Sequence, residues 1–278
     1  MHVPLSRAIA PTMQWHDSCP STNSELVAQA AELDDLTVLA TDTQTAGKGR
    51  LGRTWSALAG TALAVSVFVR QPSGQHTSAT PAATSPATSP AAPHTTPPDP
   101  RRLGWLPLVA GVAMCRAAHA LGVTRAAVKW PNDVLVDGLK LSGILTELTP
   151  YGVVVGAGLN LSMSLDDLPV PTATSLAVEG VTVDDSLTDR ALAAYLSELL
   201  PLIATWRSVS DPAELREIVQ PHLHTLGLAV RVDRPALPVL LATAVHLDDD
   251  GCLVVQPAEP SSRPIAVAAG DVTHLRYE

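Results

Sequence analysis

Twelve consecutive residues hold an unusual share of the side chains that could do chemistry: Gln44-Thr45-Ala46-Gly47-Lys48-Gly49-Arg50-Leu51-Gly52-Arg53-Thr54-Trp55. Three glycines, three cations and a tryptophan stand together in a chain of 278 residues with only 18 lysines and arginines and a net charge of −9. Glycine lets a backbone adopt positive φ or pass close to a ligand. Successive N–H groups beside Lys48, Arg50 and Arg53 suit an anion of phosphate type. Trp55 offers a flat face to a ring. An exposed basic turn would have the same composition, so the surrounding elements must decide.

Gly47 to Thr54 also spells G-x-x-x-x-G-R-T, a near miss to the phosphate-cradling P-loop with Arg53 where lysine belongs. A P-loop must open a helix whose N-terminus faces the phosphates. Residues 36–41 do read as a preceding strand, but Leu63, Val65, Val67 and Val69 alternate with period two across residues 61–69. Strand, loop and strand exclude the P-loop.

Two further stretches are dense in polar groups. Ser21-Thr22-Asn23 precedes a helical pattern with Leu26, Ala30 and Leu33 on one face, and Thr22 and Glu25 have capping-box spacing. These three residues either cap that helix or aim hydroxyls and an amide at a small polar ligand. Residues 127–148 read as strand, turn at Pro131-Asn132-Asp133, short strand, hairpin at Asp137-Gly138, and strand. Lys140 opens the last of these, either as a strand-edge lysine or as a point charge aimed into a pocket. Residues 151–160 follow as a buried strand whose glycines permit close backbone approach. Asn160 either terminates it or reads the edge of a base.

The elements that must position these groups are legible in outline. Residues 1–14 carry little signal. Residues 103–121 form an apolar helix that begins near Leu106, because Pro107 fits only a first turn, and Gly122 closes it. His119 suits a packed or surface role. Residues 187–206 and 211–223 are helical by periodicity, with Asp211-Pro212 as N-cap and N1. His222 and His224 lack further ligands. From about Gly227, five short strands in about 50 residues suggest a small barrel. Residues 72–100 contain eight prolines, one charged residue and no Leu, Ile, Val or aromatic side chain, so they cannot offset their ordering entropy and read as a disordered or polyproline-like insertion.

Composition narrows the function classes. A chain with 46% hydrophobic and 16% charged residues fits a globular protein with a substantial core. Net negative charge disfavours general nucleic-acid binding while leaving room for one basic site. Cys19, Cys115 and Cys252 make neither a disulfide framework nor a zinc pattern. With no apolar run near the ~20 residues that span a bilayer and no secretory leader, the expected location is the cytoplasm.

Together these residues resemble the biotin–protein ligase family (biotin–[acetyl-CoA-carboxylase] ligase) in its short form. The matches, in family order, are Ser21-Thr22-Asn23, the Gln44 to Trp55 loop, Lys129-Trp130-Pro131-Asn132-Asp133, the Lys140 to Glu147 run and Gly156-Ala157-Gly158-Leu159-Asn160; the closing Gly270-Asp271-Val272 resembles the family's barrel signature. The resemblance implies an α+β fold: a mixed sheet with flanking helices, of the class II aminoacyl-tRNA synthetase/biotin ligase type, over residues 1–225, then an SH3-like barrel over 226–278. It implies ATP-dependent transfer of biotin, through biotinyl-5′-AMP, to a lysine of a biotin carboxyl carrier domain, with Mg2+ accompanying ATP and no protein metal site assigned. By motif position, Ser21, Thr22 and Gln44 would bind the biotin rings, with Asn23, Gly47 and Gly143 in the same set. Lys48, Gly49 and Arg50 would lie along the biotin tail, and Lys140 and Arg50 would be catalytic at the carboxylate and phosphate. Arg53, Trp55, Lys129, Asn132, Asp133 and Asn160 would serve the nucleotide. Lys48 departs from the family's usual arginine, losing a planar bidentate contact.

The resemblance also implies no DNA binding, since only about 15 residues precede the first match, and it leaves a homodimer open. Alternatives are a lipoate or octanoate transferase of similar fold, or a non-catalytic module whose barrel binds proline-rich segments. So many glycines beside so few apolar anchors also imply a loop that is mobile until its ligand binds. Deleting residues 74–98 is expected to leave folding and activity largely intact; a lower melting temperature or lost turnover in the deletion variant would show that the insertion is structural.

Overall fold

The computed structural model describes residues 1–71, 100–234, 237–259, 261–269 and 274–277. The proline-rich stretch, apart from Pro100, and the Gly270-Asp271-Val272 signature lie outside the described residues.

Alternating apolar residues build the main sheet from β1 (Gln14–Trp15), β2 (Thr37–Thr41), β3 (Ala62–Arg70), β4 (Ala126–Lys129), β5 (Asp133–Val136), β6 (Leu139–Thr149) and β7 (Gly152–Asn160). Their order is β1-β2-β3-β7-β6-β5-β4, and only β1 and β2 pair in parallel. The sheet is therefore mixed, as expected. Asp137 and Gly138, at φ 48° and 87°, make the tight β5–β6 hairpin.

The two faces of the sheet are covered unequally. Leu63, Val65, Val67 and Val69 of β3, with Val153, Val155, Ala157 and Leu159 of β7, face the main core, which includes α3 (Leu106–Ala120) and α4 (Leu187–Ser208). Residues Arg102–Ala120 are apolar and long enough by composition to cross a bilayer, contrary to the sequence expectation, but 72% of that stretch is buried in this core. On the opposite face α2 (Thr22–Gln29) and the residues after it place Leu26, Ala30 and Leu33 in a small cluster with Leu39, Phe68 and Val154. Ala64, Gly156 and Gly158 line a cleft on that same face.

Two local readings change. Ser21, with φ −162° and ψ 127°, is the N-cap of α2 and accepts from the Ser24 N–H, so the cap lies one residue before the expected Thr22 pair. The Thr22 side chain is drawn into the cleft instead. Pro4–Ile9 forms a short helix, α1, that the sequence did not signal. Asp189 of α4 holds it, accepting from the backbone N–H groups of Leu5 and Ser6 at 2.9 Å and from Ser6 Oγ at 2.6 Å. The 3-10 turn Pro100–Trp105 leads into α3, which starts at Leu106 with Pro107 in its first turn. α5 (Pro212–Val219) is capped by Asp211 as expected, then tightens into a 3-10 turn before His222 ends it. His119 is packed, its Nε2 2.9 Å from Ala126 O.

The C-terminal strands β8 (Ala229–Asp233), β9 (Leu240–Leu247), β10 (Leu253–Pro257), β11 (Ile265–Val267) and β12 (His274–Tyr277) form a second, antiparallel sheet in the order β11-β10-β9-β8-β12. Its apolar residues Val230, Val232, Leu247 and Val255 join the main core. The joint is polar at one point: two indole N–H groups, Trp105 and Trp130, donate to Asp249 O at 2.9 Å and Gly251 O at 3.2 Å. A Cβ on Gly104 would lie 2.3 Å from Asp250 O, so backbone meets backbone there. Gly104→Ala is expected to destabilise the fold by about 1–3 kcal/mol, readable as a lower urea midpoint; an unchanged midpoint would show that the joint yields freely.

Candidate active site

The glycine loop closes on itself. Lys48 and Thr54 form an antiparallel bridge, Gly49 N–H donates to Arg53 O at 2.6 Å, and Trp55 N–H donates to Gly47 O at 2.9 Å. A 3-10 turn, Arg50–Gly52, makes the tip, with Leu51 and Gly52 at positive φ. Gly47 is needed for closeness: a Cβ there would sit 2.5 Å from Trp55 O. The loop thus delivers Trp55 onto the sheet, where a Cβ on Gly158 would be 2.6 Å from the indole Cε2 and one on Gly143 would be 3.3 Å from Cζ3.

The cations converge beside that ring. Lys140 Nζ lies 5.6 Å from the Trp55 ring centroid and 2.6 Å from Asp133 Oδ1. Arg50 Nη1 donates to Asn132 Oδ1 at 3.1 Å, and its Nη2 donates to Ala269 O of the C-terminal sheet region. Asn132 is fixed in turn, its Nδ2 donating to Ile144 O and its carbonyl accepting from Ile144 N–H, both at 2.8 Å. The 131–133 turn therefore extends the β6 edge while presenting Asn132 to Arg50. Burial lowers the Arg50 pKa; Asp133 opposes this and Arg53 adds to it.

The other end of the cleft is polar and contains neutral hydrogen-bonding groups. Gln44 Oε1 accepts the Thr22 N–H at 2.8 Å. Asn23 Nδ2 donates to Leu145 O at 3.1 Å and to Glu147 Oε2 at 2.8 Å. Ser66 Oγ lies 2.7 Å from Thr22 Oγ1 and 2.6 Å from Asn23 Oδ1. Gly156 makes room for this cluster, because a Cβ there would lie 2.0 Å from Asn23 Oδ1.

Most of the residues singled out from the sequence meet in this one cleft. Ser21, Thr22, Asn23 and Gln44 line its neutral end, and Lys48, Gly49, Arg50, Arg53 and Trp55 line the loop side. Asn132, Asp133, Lys140 and Gly143 line the far wall. Gly47 stands behind the lining, against Trp55 and Gln44. Two residues are not brought in. Asn160 is buried and ties down the chain beyond β7, donating to Thr174 O at 2.8 Å and to Lys140 O at 3.4 Å. Lys129 points to the C-terminal sheet, its Nζ 5.0 Å from the Tyr277 ring centroid. Burial chiefly lowers its pKa, with Asp133 opposing and Lys140 and Arg276 adding. Burial likewise pushes the Tyr277 hydroxyl up to about 12. Sequence reasoning missed Ser66 and Ala269, and gave Glu147 no role within its matched run. Ser66 had a signal: it falls on the even-numbered face of β3, opposite the core.

A hydrogen-bonding end and a cationic end in one cleft, on a mixed sheet, suit a ligand with a polar ring system at one end and an anionic group at the other. Residues 95–163 match the model of the Biotin/lipoate A/B protein ligase family. The chain is 34% identical over 261 residues to the biotin–[acetyl-CoA-carboxylase] ligase of Mycobacterium tuberculosis, covering 92% of this chain and 86% of that protein. It is 29% identical over 269 residues to the enzyme of the same name from Paracoccus denitrificans, covering 90% and 95%. The fold matches that of a biotin protein ligase from Aquifex aeolicus, solved in complex with biotin and ATP, with a TM-score of 0.73, 22% identity and 96% and 99% of the two chains covered. The chain belongs to the biotin–protein ligase family and is a ligase.

The fit of the indole against Gly158 generates its own test. Gly158→Ala must displace the Trp55 ring, and we expect at least about a tenfold loss of kcat/KM for biotin transfer, on the scale of one misplaced contact. Unchanged kinetics in this variant would mean that the ring position is not used.

Proposed function

We propose that this ligase joins biotin to a lysine of a biotin carboxyl carrier domain in two steps, with the neutral end of the cleft holding the biotin rings and the cationic end holding the reacting groups. In the first step a biotin carboxylate oxygen attacks the α-phosphorus of ATP, and pyrophosphate leaves. In the second the ε-amine of the acceptor lysine attacks the acyl carbon of biotinyl-5′-AMP; the amide forms, AMP leaves, and the amine loses a proton. Both steps gather negative charge about one phosphorus, which fixed cations and N–H groups stabilise.

The convergence of Lys140, Asp133, Arg50 and Trp55 at one end of the cleft is the observation that carries this reading. Lys140 holds the biotin carboxylate and then the acyl-phosphate oxygens, exchanging its Asp133 partner for the substrate. Arg50 and Arg53 take phosphate oxygens, and Lys48 and Gly49 lie along the biotin tail. Trp55 shields the adenine. Ser21, Thr22, Asn23 and Gln44 bind the ring system.

Asp133 would hold Mg2+ brought with the nucleotide, and the ion would supply positive charge beside the reacting phosphate. The donor set fits that role: Asp133 is a carboxylate among otherwise neutral or cationic lining residues, and magnesium commonly uses one carboxylate plus substrate phosphates. No group of three His, Cys, Asp or Glu side chains suited to a metal occurs among the described residues. We further assign residues 226–278 to an SH3-like barrel following a catalytic unit of residues 1–225, and the protein to the cytoplasm without DNA as a partner. The two-sheet architecture and the net charge of −9 support these assignments.

The test is pyrophosphate exchange into ATP. Exchange should require biotin, lipoate should not replace it, and Lys140→Ala should reduce the rate at least about tenfold, as for loss of one charge-assisted contact. Exchange with lipoate alone would move the protein to the lipoate branch of the fold, and no exchange with either acid would remove the enzymatic reading.

A further inference from the structure

The hydrogen-bond chain at the neutral end of the cleft has one consistent arrangement of protons. Asn23 turns one end of its amide toward two groups that only accept, Leu145 O at 3.1 Å and the Glu147 carboxylate oxygen Oε2 at 2.8 Å. That end is the NH2, and the atom 2.6 Å from Ser66 Oγ is the amide oxygen. An amide oxygen cannot donate, so the single Ser66 proton goes to it. Ser66 must then accept from its other neighbour, Thr22 Oγ1, at 2.7 Å. Gln44 Oε1, which takes the Thr22 backbone N–H at 2.8 Å, also lies 3.3 Å from Thr22 Oγ1, a longer and weaker contact for the hydroxyl proton than the 2.7 Å one to Ser66, which has no other proton to fill it. Ser66 is fully buried and Thr22 and Asn23 nearly so, which limits competition by water.

The proton order has a consequence for recognition. With its proton held by Ser66, Thr22 Oγ1 can offer only lone pairs to the cleft. Beside it, Ser21 Oγ accepts from Ser24 N–H at 3.4 Å, which leaves its own proton free to donate. The pair presents an acceptor next to a donor. A cyclic urea offers the complement, an N–H next to a C=O; a dithiolane ring offers neither.

We propose that Ser66 is a positioning residue for specificity: by fixing the Thr22 proton, it makes Thr22 an acceptor that requires an N–H on the ligand's ring system. The inference rests on the biotin reading above. A site built to accept a ligand N–H rejects an analogue lacking it, because the buried acceptor is left unpaired.

The experiment compares biotin with its lactam analogues, in which one or other ureido N–H is replaced by CH2, as substrates for transfer to a carrier domain. The full chain is used as wild type, Ser66→Ala, Thr22→Val and the double variant. Wild type should prefer biotin over one lactam isomer by at least about tenfold in KM. In Ser66→Ala that preference should fall to about threefold or less while the KM for ATP stays unchanged, and the double variant should match Thr22→Val alone. Equal losses for biotin and lactam in Ser66→Ala, or additive effects in the double variant, would make Ser66 a packing residue and overturn the proposal. Should Ser66→Ala unfold, Ser66→Cys keeps the shape with a weak donor and reads the same ratio. A wild-type chain that transfers neither ligand would overturn the biotin reading itself, an outcome distinct from a normal wild type with an unchanged Ser66→Ala.

Discussion

Two positions on the open face of β7 lack a side chain, and the cleft depends on that. At Gly156 a Cβ would overlap the Asn23 amide, and at Gly158 it would overlap the Trp55 indole. The helix start carrying Asn23 and the loop carrying Trp55 can therefore both rest directly on the sheet. Neighbouring Val154 does carry a side chain, and there α2 covers the face, its Leu26 clustering with Phe68 of β3 and Val154. The boundary between covered and open sheet is thus set, residue by residue, by where β7 changes from valine to glycine. Burying polar groups over such a bare patch is tolerable because they satisfy one another; an unpaired one would cost about 1–3 kcal/mol.

The cationic end follows a different logic. Lys140, Arg50 and Arg53 would repel one another if left without anions, and Asp133 and backbone carbonyls moderate this. Lys140 holds Asp133, while Arg50 is anchored through Asn132 and Ala269. Because Ala269 belongs to the C-terminal sheet region, one cation of the cleft is positioned by both sheets. Lys140 is about one-third exposed and its ion pair is screened by water, so exchanging Asp133 for an anionic substrate is a modest step. Within the loop, hydrogen bonds between Gly47 and Trp55 and between Gly49 and Arg53 hold Lys48 and Trp55 in register.

Much of this is legible in the sequence. Period-two alternation located β3 and excluded the P-loop, Pro107 marked the start of α3, and Asp137-Gly138 marked the hairpin, because each depends on local backbone preference. The glycine loop, Lys140 and the Ser21-Thr22-Asn23 cap stood out as chemistry, and they do meet. Asn160 and Lys129 stood out equally and do not. The same residue types serve a cleft or a packing role according to which way a strand faces, and Asn160 has its hydrogen-bonding capacity used by Thr174 and Lys140 carbonyls.

By itself the sequence determined most of the strands, the starts of α3 and α5 and the polar stretches, since these follow from side-chain periodicity and backbone sterics within a few residues. Only the tertiary structure decided which polar groups share a cavity. Asn23 and Glu147 are separated by 124 residues, and Arg50 and Ala269 by 219. Nothing local encodes such distances; they are set when the sheet order brings β3, β7 and β6 side by side and the C-terminal sheet docks at the Trp105 and Trp130 joint. The twelve-residue loop announces anion chemistry on its own, but its address, over two bare glycines and against Lys140, is a property of the folded sheet.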